Sequence, residues 1–149
     1  MTWVLFLLRV AAGALFIASG FTKLIEPYQN FLAVIHSYKI VGGEAAKAAA
    51  MGLPWAELIL GAFLLKGLWI RLSAGALWLM NTAFFAVVAS AIIRKLPIED
   101  CGCFGESPVT LTLKQVLAMD AVLWVILGIL FLRAADASVW SLDRYFERK

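Results

Sequence analysis

Four long apolar runs, separated by short polar segments, dominate the pattern of hydrophobic and polar positions along the chain. A helix of about 20 apolar residues, rising 1.5 Å per residue, crosses roughly 30 Å of hydrocarbon. The fourth run is at the short end of this range, so its helix is expected to extend into its polar flank. The pattern predicts an all-α integral membrane protein, a bundle of four transmembrane helices over residues 3–21, 45–65, 70–93 and 116–132.

Two shorter stretches are amphipathic. After Pro27, apolar residues at helical spacing predict a helix along the membrane interface, and these are Tyr28, Phe31, Leu32, Ile35 and Tyr38. Gly42–Gly43 ends this stretch, and Glu44 then places an acid in the first turn of the next helix, where the helix dipole favours it. A similar pattern predicts an amphipathic C-terminal tail that carries Val139, Leu142 and Phe146.

The composition agrees with a membrane protein. Of the 149 residues, 63% are hydrophobic and 15% are charged, and the mean hydropathy is +0.89, whereas about a quarter of the residues in a soluble domain are charged. The 13 basic residues give a net charge of +3 but form no patch, so the expected partner is the lipid bilayer and not nucleic acid. One domain over residues 1–149 is the simplest organisation, with no cleavable signal peptide, because Arg9 interrupts the first run.

The side on which each loop lies is predicted from charge and tryptophan positions. If the N-terminus is cytoplasmic, seven basic residues lie inside and six outside, so the positive-inside rule gives little preference. The same orientation places Trp3, Trp69 and Trp140 at the inner interface, as an aromatic belt requires. We therefore expect both termini in the cytoplasm and the loop of residues 94–115 on the periplasmic or extracellular side.

Charged residues inside the apolar runs need partners within the bundle. One face of the first helix carries Arg9, Gly13, Phe16, Gly20 and Lys23. Counting from the helix ends places Arg9 and Glu57 at similar depth, so we predict an ion pair between them. This pair either fixes the register of the two helices or places polar groups beside a cofactor pocket or proton path.

Two more polar residues lie within the spans. Asn81, near the middle of the third span, is expected to hold helices together through a hydrogen bond. Asp120, in the outer part of the fourth span, either makes a packing contact with Lys23 or Lys114 or handles protons. His36 is expected to be a surface histidine.

Both cysteines of the chain lie in one polar segment, Cys101-Gly-Cys103-Phe104-Gly105. A pair separated by one glycine can close a small, strained disulfide ring, and strained, exposed disulfides exchange readily with thiols. The alternatives are a static disulfide, two ordinary loop thiols, or a soft-metal site. No further cysteine or methionine cluster lies near enough to complete a metal shell, so no metal site is assigned.

Several of these residues together resemble the DoxX-like membrane proteins, and specifically their methylamine-utilisation MauE branch. The resemblance covers essentially the whole chain and rests on Arg9, Gly13, Phe16, Gly20, Lys23-Leu24, Pro27, Pro54-Trp55-x-Glu57, Gly61 and the Cys101–Gly105 motif. It implies a four-helix membrane bundle linked to disulfide formation in extracytoplasmic proteins, with a thioredoxin-like partner. Met119 stands where many relatives have a basic residue beside the acid, so the environment of Asp120 does not follow from the resemblance.

The chain also looks like quinone-linked disulfide-generating enzymes such as the vitamin K epoxide reductase group, which hold a quinone among four helices. That likeness implies a quinone cofactor, ubiquinone or menaquinone, with Trp55, Trp78 and Phe104 as candidates for its pocket. Those enzymes commonly use two cysteine pairs, whereas this chain has one. Electrons would therefore pass directly from a partner's dithiol through Cys101 and Cys103 to the next carrier.

The sequence thus favours a membrane thiol:disulfide oxidoreductase with Cys101 and Cys103 as its catalytic pair. Arg9, Lys23, Glu57, Asn81 and Asp120 form its expected intramembrane polar network. Two alternatives remain, a non-enzymatic assembly or docking factor for a periplasmic partner and a copper or mercury transporter.

Overall fold

The computed structural model describes residues 2–96 and 112–138, and all regular structure in these two ranges is helical. The helices are α1 (Thr2–Ile25), α2 (Tyr28–Ser37), α3 (Gly43–Lys66), α4 (Ile70–Ile93) and α5 (Leu113–Leu132), followed by a short 3-10 helix (Asp136–Ser138). All except α2 and the 3-10 helix are long and apolar enough to cross a membrane. The predicted four-helix membrane fold is confirmed, whereas the predicted tail helix lies outside the described residues.

Helix α5 begins three residues before the apolar run that predicted it. Thr112 precedes the helix and forms a capping box with Gln115, whose Oε1 accepts a hydrogen bond of 3.0 Å from the Thr112 backbone N–H. Such a box satisfies backbone donors that the first helical turn leaves without partners. The expected extension of the fourth span into its polar flank is therefore confirmed.

The four long helices pack as two antiparallel pairs, α1 with α3 and α4 with α5. The α1–α3 contact is close because glycines face backbone across it. A Cβ atom on Gly13 would lie 2.9 Å from the Gly61 carbonyl oxygen, and one on Gly20 would lie 2.7 Å from the Pro54 carbonyl oxygen. These contacts fix the register of the two helices.

Two apolar clusters lie at different heights in the bundle. The larger one joins all four long helices at the end where α1 begins and α5 finishes, which we call the terminal end, and includes Leu5, Leu64 and Leu130. The smaller one lies near the opposite end, which we call the cavity end, and contains Tyr38, Val88, Ala91 and Val116. The space between the clusters is incompletely filled.

Helix α2 lies against the cavity end. Phe31 and Tyr38 are buried, whereas His36 is exposed, as the sequence predicted. The Arg94 guanidinium, just after α4, donates a hydrogen bond of 3.0 Å to the Tyr38 carbonyl oxygen and ties the end of α2 to the end of α4. The apolar stripe predicted for an interfacial helix therefore packs against the cavity end of the bundle.

Candidate functional site

A cavity of about 210 Å³ lies between the two helix pairs at the cavity end. All five helices contribute to its wall, and it is covered by Phe31 and Ile35 of α2 and by Tyr38 directly after α2. Most of the lining is apolar. An engineered apolar cavity of about 150 Å³ in another protein binds benzene, so this space is large enough for a single six-membered ring.

A buried ion pair forms one polar part of the wall. The Lys23 ammonium on α1 donates hydrogen bonds of 2.7 and 2.9 Å to the two carboxylate oxygens of Glu57 on α3. The Ser19 hydroxyl donates a third, of 3.0 Å, to Glu57 Oε2. The Lys23 and Glu57 side chains are 4% and 12% exposed, and the Lys23 nitrogen lies 5.0 Å from the centre of the Phe31 ring. The Lys23 charge is therefore matched by a carboxylate and covered by an aromatic ring.

Helix geometry explains why Lys23 reaches Glu57. Side chains on a helix lean toward its N-terminus. Because α1 and α3 are antiparallel, Lys23 leans toward the terminal end while Glu57 leans toward the cavity end. The two side chains meet near Gly20, whose missing side chain leaves the space.

The predicted Arg9–Glu57 ion pair is wrong. Glu57 Cβ lies beside Gly20, which is 11 residues and about 16 Å along α1 from Arg9 at 1.5 Å per residue. Counting from the helix ends failed because α1 extends past the end of α3 at the terminal end. Arg9 instead donates a hydrogen bond of 2.8 Å to the Ala137 carbonyl oxygen and lies 5.2 Å from the centre of the Phe6 ring.

A second polar part of the wall comes from α4 and α5. The Asn81 amide donates a hydrogen bond of 3.0 Å to the Asp120 backbone oxygen, which confirms the role predicted for Asn81 in joining helices. Asp120 is 4% exposed and lines the cavity, and its carboxyl interacts electrostatically with Lys23. Its Oδ2 atom has no hydrogen-bond partner among the residues that the structure describes. Of the two lysines predicted as contacts, Lys23 lines the same cavity as Asp120, whereas Lys114 is exposed.

The two tryptophans predicted for a quinone pocket do not line this cavity. Trp55 follows Pro54 by one residue, so it points away from the α1-facing side of α3, and it is 56% exposed. Trp78 packs between Trp124 and Phe131, at ring-centre distances of 5.3 and 6.3 Å. The aromatic rings at the cavity come instead from α1, α2 and α4 as Phe16, Phe31, Tyr38 and Phe84.

The predicted catalytic cysteines, Cys101 and Cys103, and the predicted pocket residue Phe104 lie outside the described residues. The chain on both sides of them is described. Leu96 packs against the smaller apolar cluster beside Tyr38 and Val116, and Thr112 caps α5. Both ends of the cysteine-containing segment are therefore attached at the cavity end.

The cavity combines an apolar body with hydrogen-bonding groups of both kinds. Lys23 and Asn81 supply donors, and Oδ2 of Asp120, which has no partner among the described residues, supplies a further polar atom in a mostly apolar wall. Of the five residues predicted as a polar network, four line this cavity and Arg9 does not. The sequence analysis missed Ser19, although its position four residues before Lys23 places it on the same buried face. Such a site suits an uncharged ring that carries polar atoms.

Three comparisons with known proteins bear on identity. A family model described as "Methylamine utilisation protein MauE" matches residues 1–133, which include all five helices and both cysteines. No curated protein and no solved structure matches the chain.

Proposed function

From the premise that the chain belongs to the family of methylamine utilisation protein MauE, we propose that it is a membrane thiol:disulfide oxidoreductase. In this proposal, Cys101 and Cys103 take electrons from an extracytoplasmic thioredoxin-like protein and pass them to a membrane quinone. The activity supports disulfide formation in extracytoplasmic proteins. The segment 97–111 faces the extracytoplasmic side, and both chain termini face the cytoplasm.

The observation that carries the proposal is the position of the cavity. The two ends of the segment that holds both cysteines, Leu96 and Thr112, are attached at the same end of the bundle as the cavity. A ligand in the cavity is therefore near the base of that segment. This arrangement supports electron transfer between the cysteines and a membrane-soluble carrier.

The lining supports a quinone as the carrier. Phe16, Phe31 and Phe84 offer apolar surface for a flat ring, while Asn81 and Lys23 offer hydrogen-bond donors for ring oxygens. The Asp120 carboxyl, whose Oδ2 atom has no hydrogen-bond partner among the described residues, is a further buried polar group in this wall and, when protonated, a donor. A bound quinone supplies a two-electron, two-proton acceptor.

The cysteines would work by thiol–disulfide exchange. A thiolate of the partner attacks the Cys101–Cys103 disulfide, and a mixed disulfide forms. The partner's second thiolate resolves it, which leaves the partner oxidised and the Cys101–Cys103 pair as a dithiol. The chain has two cysteines in total, so this one pair carries out both the exchange with the partner and the transfer to the acceptor.

Single cysteine variants test this function. The purified full-length protein in lipid nanodiscs, supplied with a quinone analogue, is expected to oxidise the dithiol of a reduced thioredoxin-like protein. We expect Cys101→Ser and Cys103→Ser each to abolish this oxidation. When the oxidised form of the thioredoxin-like protein is supplied instead, the remaining thiol of one variant is expected to attack its disulfide and to accumulate a mixed disulfide visible on a non-reducing gel. The double variant is the matched control and traps nothing.

Retention of full activity by both single variants would refute the redox function and favour the docking factor. Stoichiometric copper or mercury on the purified wild-type protein, lost in the double variant, would favour the soft-metal transporter.

Labelling of the cysteines with a membrane-impermeant thiol reagent, after reduction of intact cells, tests the orientation of the protein in the membrane. Labelling only after lysis would reverse it.

A further inference from the structure

Asp120 is a buried polar residue at the cavity, and one oxygen of its carboxyl has no hydrogen-bond partner among the described residues. Its side chain lines the cavity, the residue is 4% exposed, and Oδ2 has no hydrogen-bond partner within residues 2–96 and 112–138. Leaving a buried polar atom without a partner costs about 1–3 kcal/mol. Such a group calls for an explanation, and because Asp120 lines a cavity, a bound ligand is one that would satisfy it.

The other charged groups at the cavity are already engaged. Glu57 accepts two hydrogen bonds from Lys23 and one from Ser19. Lys23 is held by both Glu57 oxygens and also interacts electrostatically with Asp120. Tyr38, directly after α2, is the titratable residue on that side of the lining, and α4 contributes the neutral Asn81. Asp120 can therefore gain or lose a proton at Oδ2 without breaking a hydrogen bond to the described part of the protein.

We propose that Asp120 forms a hydrogen bond through Oδ2 with a ring oxygen of a quinone or quinol in the cavity and exchanges a proton with it. The protonated carboxyl donates to a quinone carbonyl oxygen, and the carboxylate accepts from a quinol hydroxyl. The binding half of this proposal stands on the cavity alone, whereas the proton-transfer half rests on the proposed function. Oxidation of the Cys101–Cys103 dithiol to a disulfide releases two electrons and two protons, and reduction of a quinone to a quinol takes up the same number. Asp120 receives a proton at Oδ2 and passes it to the ring oxygen, so the carboxyl returns to its starting state.

Binding is tested on the full-length protein with its cysteines oxidised, in lipid nanodiscs, so that no dithiol is present to react. The probe is decylubiquinone, and its affinity is measured by quenching of tryptophan fluorescence. We expect Asp120→Ala to weaken binding by about tenfold, as expected for loss of one buried hydrogen bond. Asp120→Asn retains a polar group there and is expected to bind within about threefold of the wild type.

An infrared difference spectrum, recorded with and without decylubiquinone, reports on the carboxyl directly. The spectrum of the wild-type protein does not depend on how a variant folds. We expect the wild type to show a carboxyl band that shifts on binding and that Asp120→Asn removes. Asp136→Asn is the matched control, because it makes the same change in a half-exposed side chain at the terminal end. It is expected to keep both the band and the affinity.

Proton transfer is tested by turnover. With reduced thioredoxin-like protein as electron donor, Asp120→Asn is expected to reduce decylubiquinone at least tenfold more slowly than the wild type while binding it normally. Unchanged affinity in Asp120→Ala together with an unshifted carboxyl band would overturn the binding role, and so would failure of the wild type to bind the probe. Wild-type rates in Asp120→Asn would overturn the proton-transfer role, while loss of partner oxidation in the cysteine variants would still support the proposed function.

Discussion

The two buried cations of α1 show how the two ends of the bundle differ. At the terminal end, Arg9 is 1% exposed, and it donates to the Ala137 backbone oxygen within the larger apolar cluster. At the cavity end, Lys23 is also buried but is held by the Glu57 carboxylate and faces an open space. The same helix face therefore carries one cation in a closed contact and one beside a cavity.

The difference in partners indicates a difference in role. The Ala137 backbone carbonyl accepts a hydrogen bond from Arg9, and this contact joins the start of α1 to the chain after α5, which is a structural role. An ion pair in a wall of low polarity instead keeps fixed charges next to whatever the cavity holds, where electrostatic interactions are stronger than in water. The terminal end thus holds the fold together, and the cavity end is where chemistry is expected.

The largest effect is expected from breaking the buried ion pair. Lys23→Met leaves the Glu57 carboxylate buried without its cation, and loss of one partner of a buried pair costs about 3–5 kcal/mol. We expect a correspondingly lower free energy of unfolding, measured by chemical denaturation in detergent micelles. The double variant Lys23→Met with Glu57→Gln removes both charges and is expected to recover most of the loss.

An exposed pair on the same protein serves as the control for this prediction. Lys47 and Glu44 on α3 are 3.0 Å apart, with side chains that are 52% and 89% exposed. Lys47→Met is expected to change the free energy of unfolding by less than about 1 kcal/mol. Equal losses in Lys23→Met and Lys47→Met would contradict the structural difference between the two pairs.

Arg9→Met makes the same cation-to-methionine change at the terminal end. It removes a charged donor from the Ala137 oxygen, and we expect a loss of about 1.5–3 kcal/mol in the free energy of unfolding. Lys23 lines the cavity, so Lys23→Met is expected to weaken decylubiquinone binding. Arg9 does not line the cavity, so Arg9→Met is expected to leave the affinity unchanged. Weaker decylubiquinone binding by Arg9→Met, in protein that remains monodisperse, would contradict the proposal that the terminal end is structural and the cavity end binds the ligand.

Much of the fold follows from the sequence because it depends on local pattern. Runs of about 20 apolar residues must form helices in a bilayer, where every backbone polar group needs an internal partner. The buried face of α1, with Arg9, Gly13 and Lys23, also follows from helical spacing alone. The start of α5 is readable from Thr112 and Gln115, since a capping box is a local signal.

The site depends instead on the register between helices, which no local pattern determines. Gly20 against Pro54 sets how far α1 slides along α3, and that offset decides that Glu57 meets Lys23 and not Arg9. The cavity is equally non-local, because it is the space left between two helix pairs. Trp55 and Trp78 are candidate pocket residues by type, but neither lines the cavity, and Trp55 lies on an exposed side of α3.

Adding one methyl group to the α1–α3 contact is expected to have an intermediate effect. A Cβ on Gly20 would lie 2.7 Å from the Pro54 oxygen, which is backbone and cannot rotate away. We expect Gly20→Ala to lower the free energy of unfolding by about 1–3 kcal/mol, as for other overpacked sites. Gly52→Ala on α3 is the control, since nothing lies within 4 Å of its Cβ position, and it is expected to be neutral or to stabilise the helix by up to about 1 kcal/mol.

Gly13 and Gly20 lie at different heights in the α1–α3 contact, so variants of these two glycines test whether the two ends of the bundle have different roles. Gly13→Ala meets the Gly61 oxygen at 2.9 Å, so it is expected to destabilise the protein much as Gly20→Ala does. Only Gly20→Ala, beside Glu57, is expected to weaken decylubiquinone binding as well. Equal effects of the two variants on binding would mean that strain spreads along the whole contact between α1 and α3.

The smallest effect is expected at the contact between α4 and α5. Asn81→Leu removes the hydrogen bond from the Asn81 amide to the Asp120 backbone oxygen, and interhelical hydrogen bonds in membrane proteins contribute about 0.6 kcal/mol on average. We therefore expect a small loss of stability together with a clear loss of decylubiquinone affinity, because Asn81 also lines the cavity. Thr82→Val is the control, since it removes a hydrogen bond of 3.0 Å from Trp124 Nε1 between the same two helices without touching the cavity. If the two variants bind the probe equally well, Asn81 serves only to join the helices.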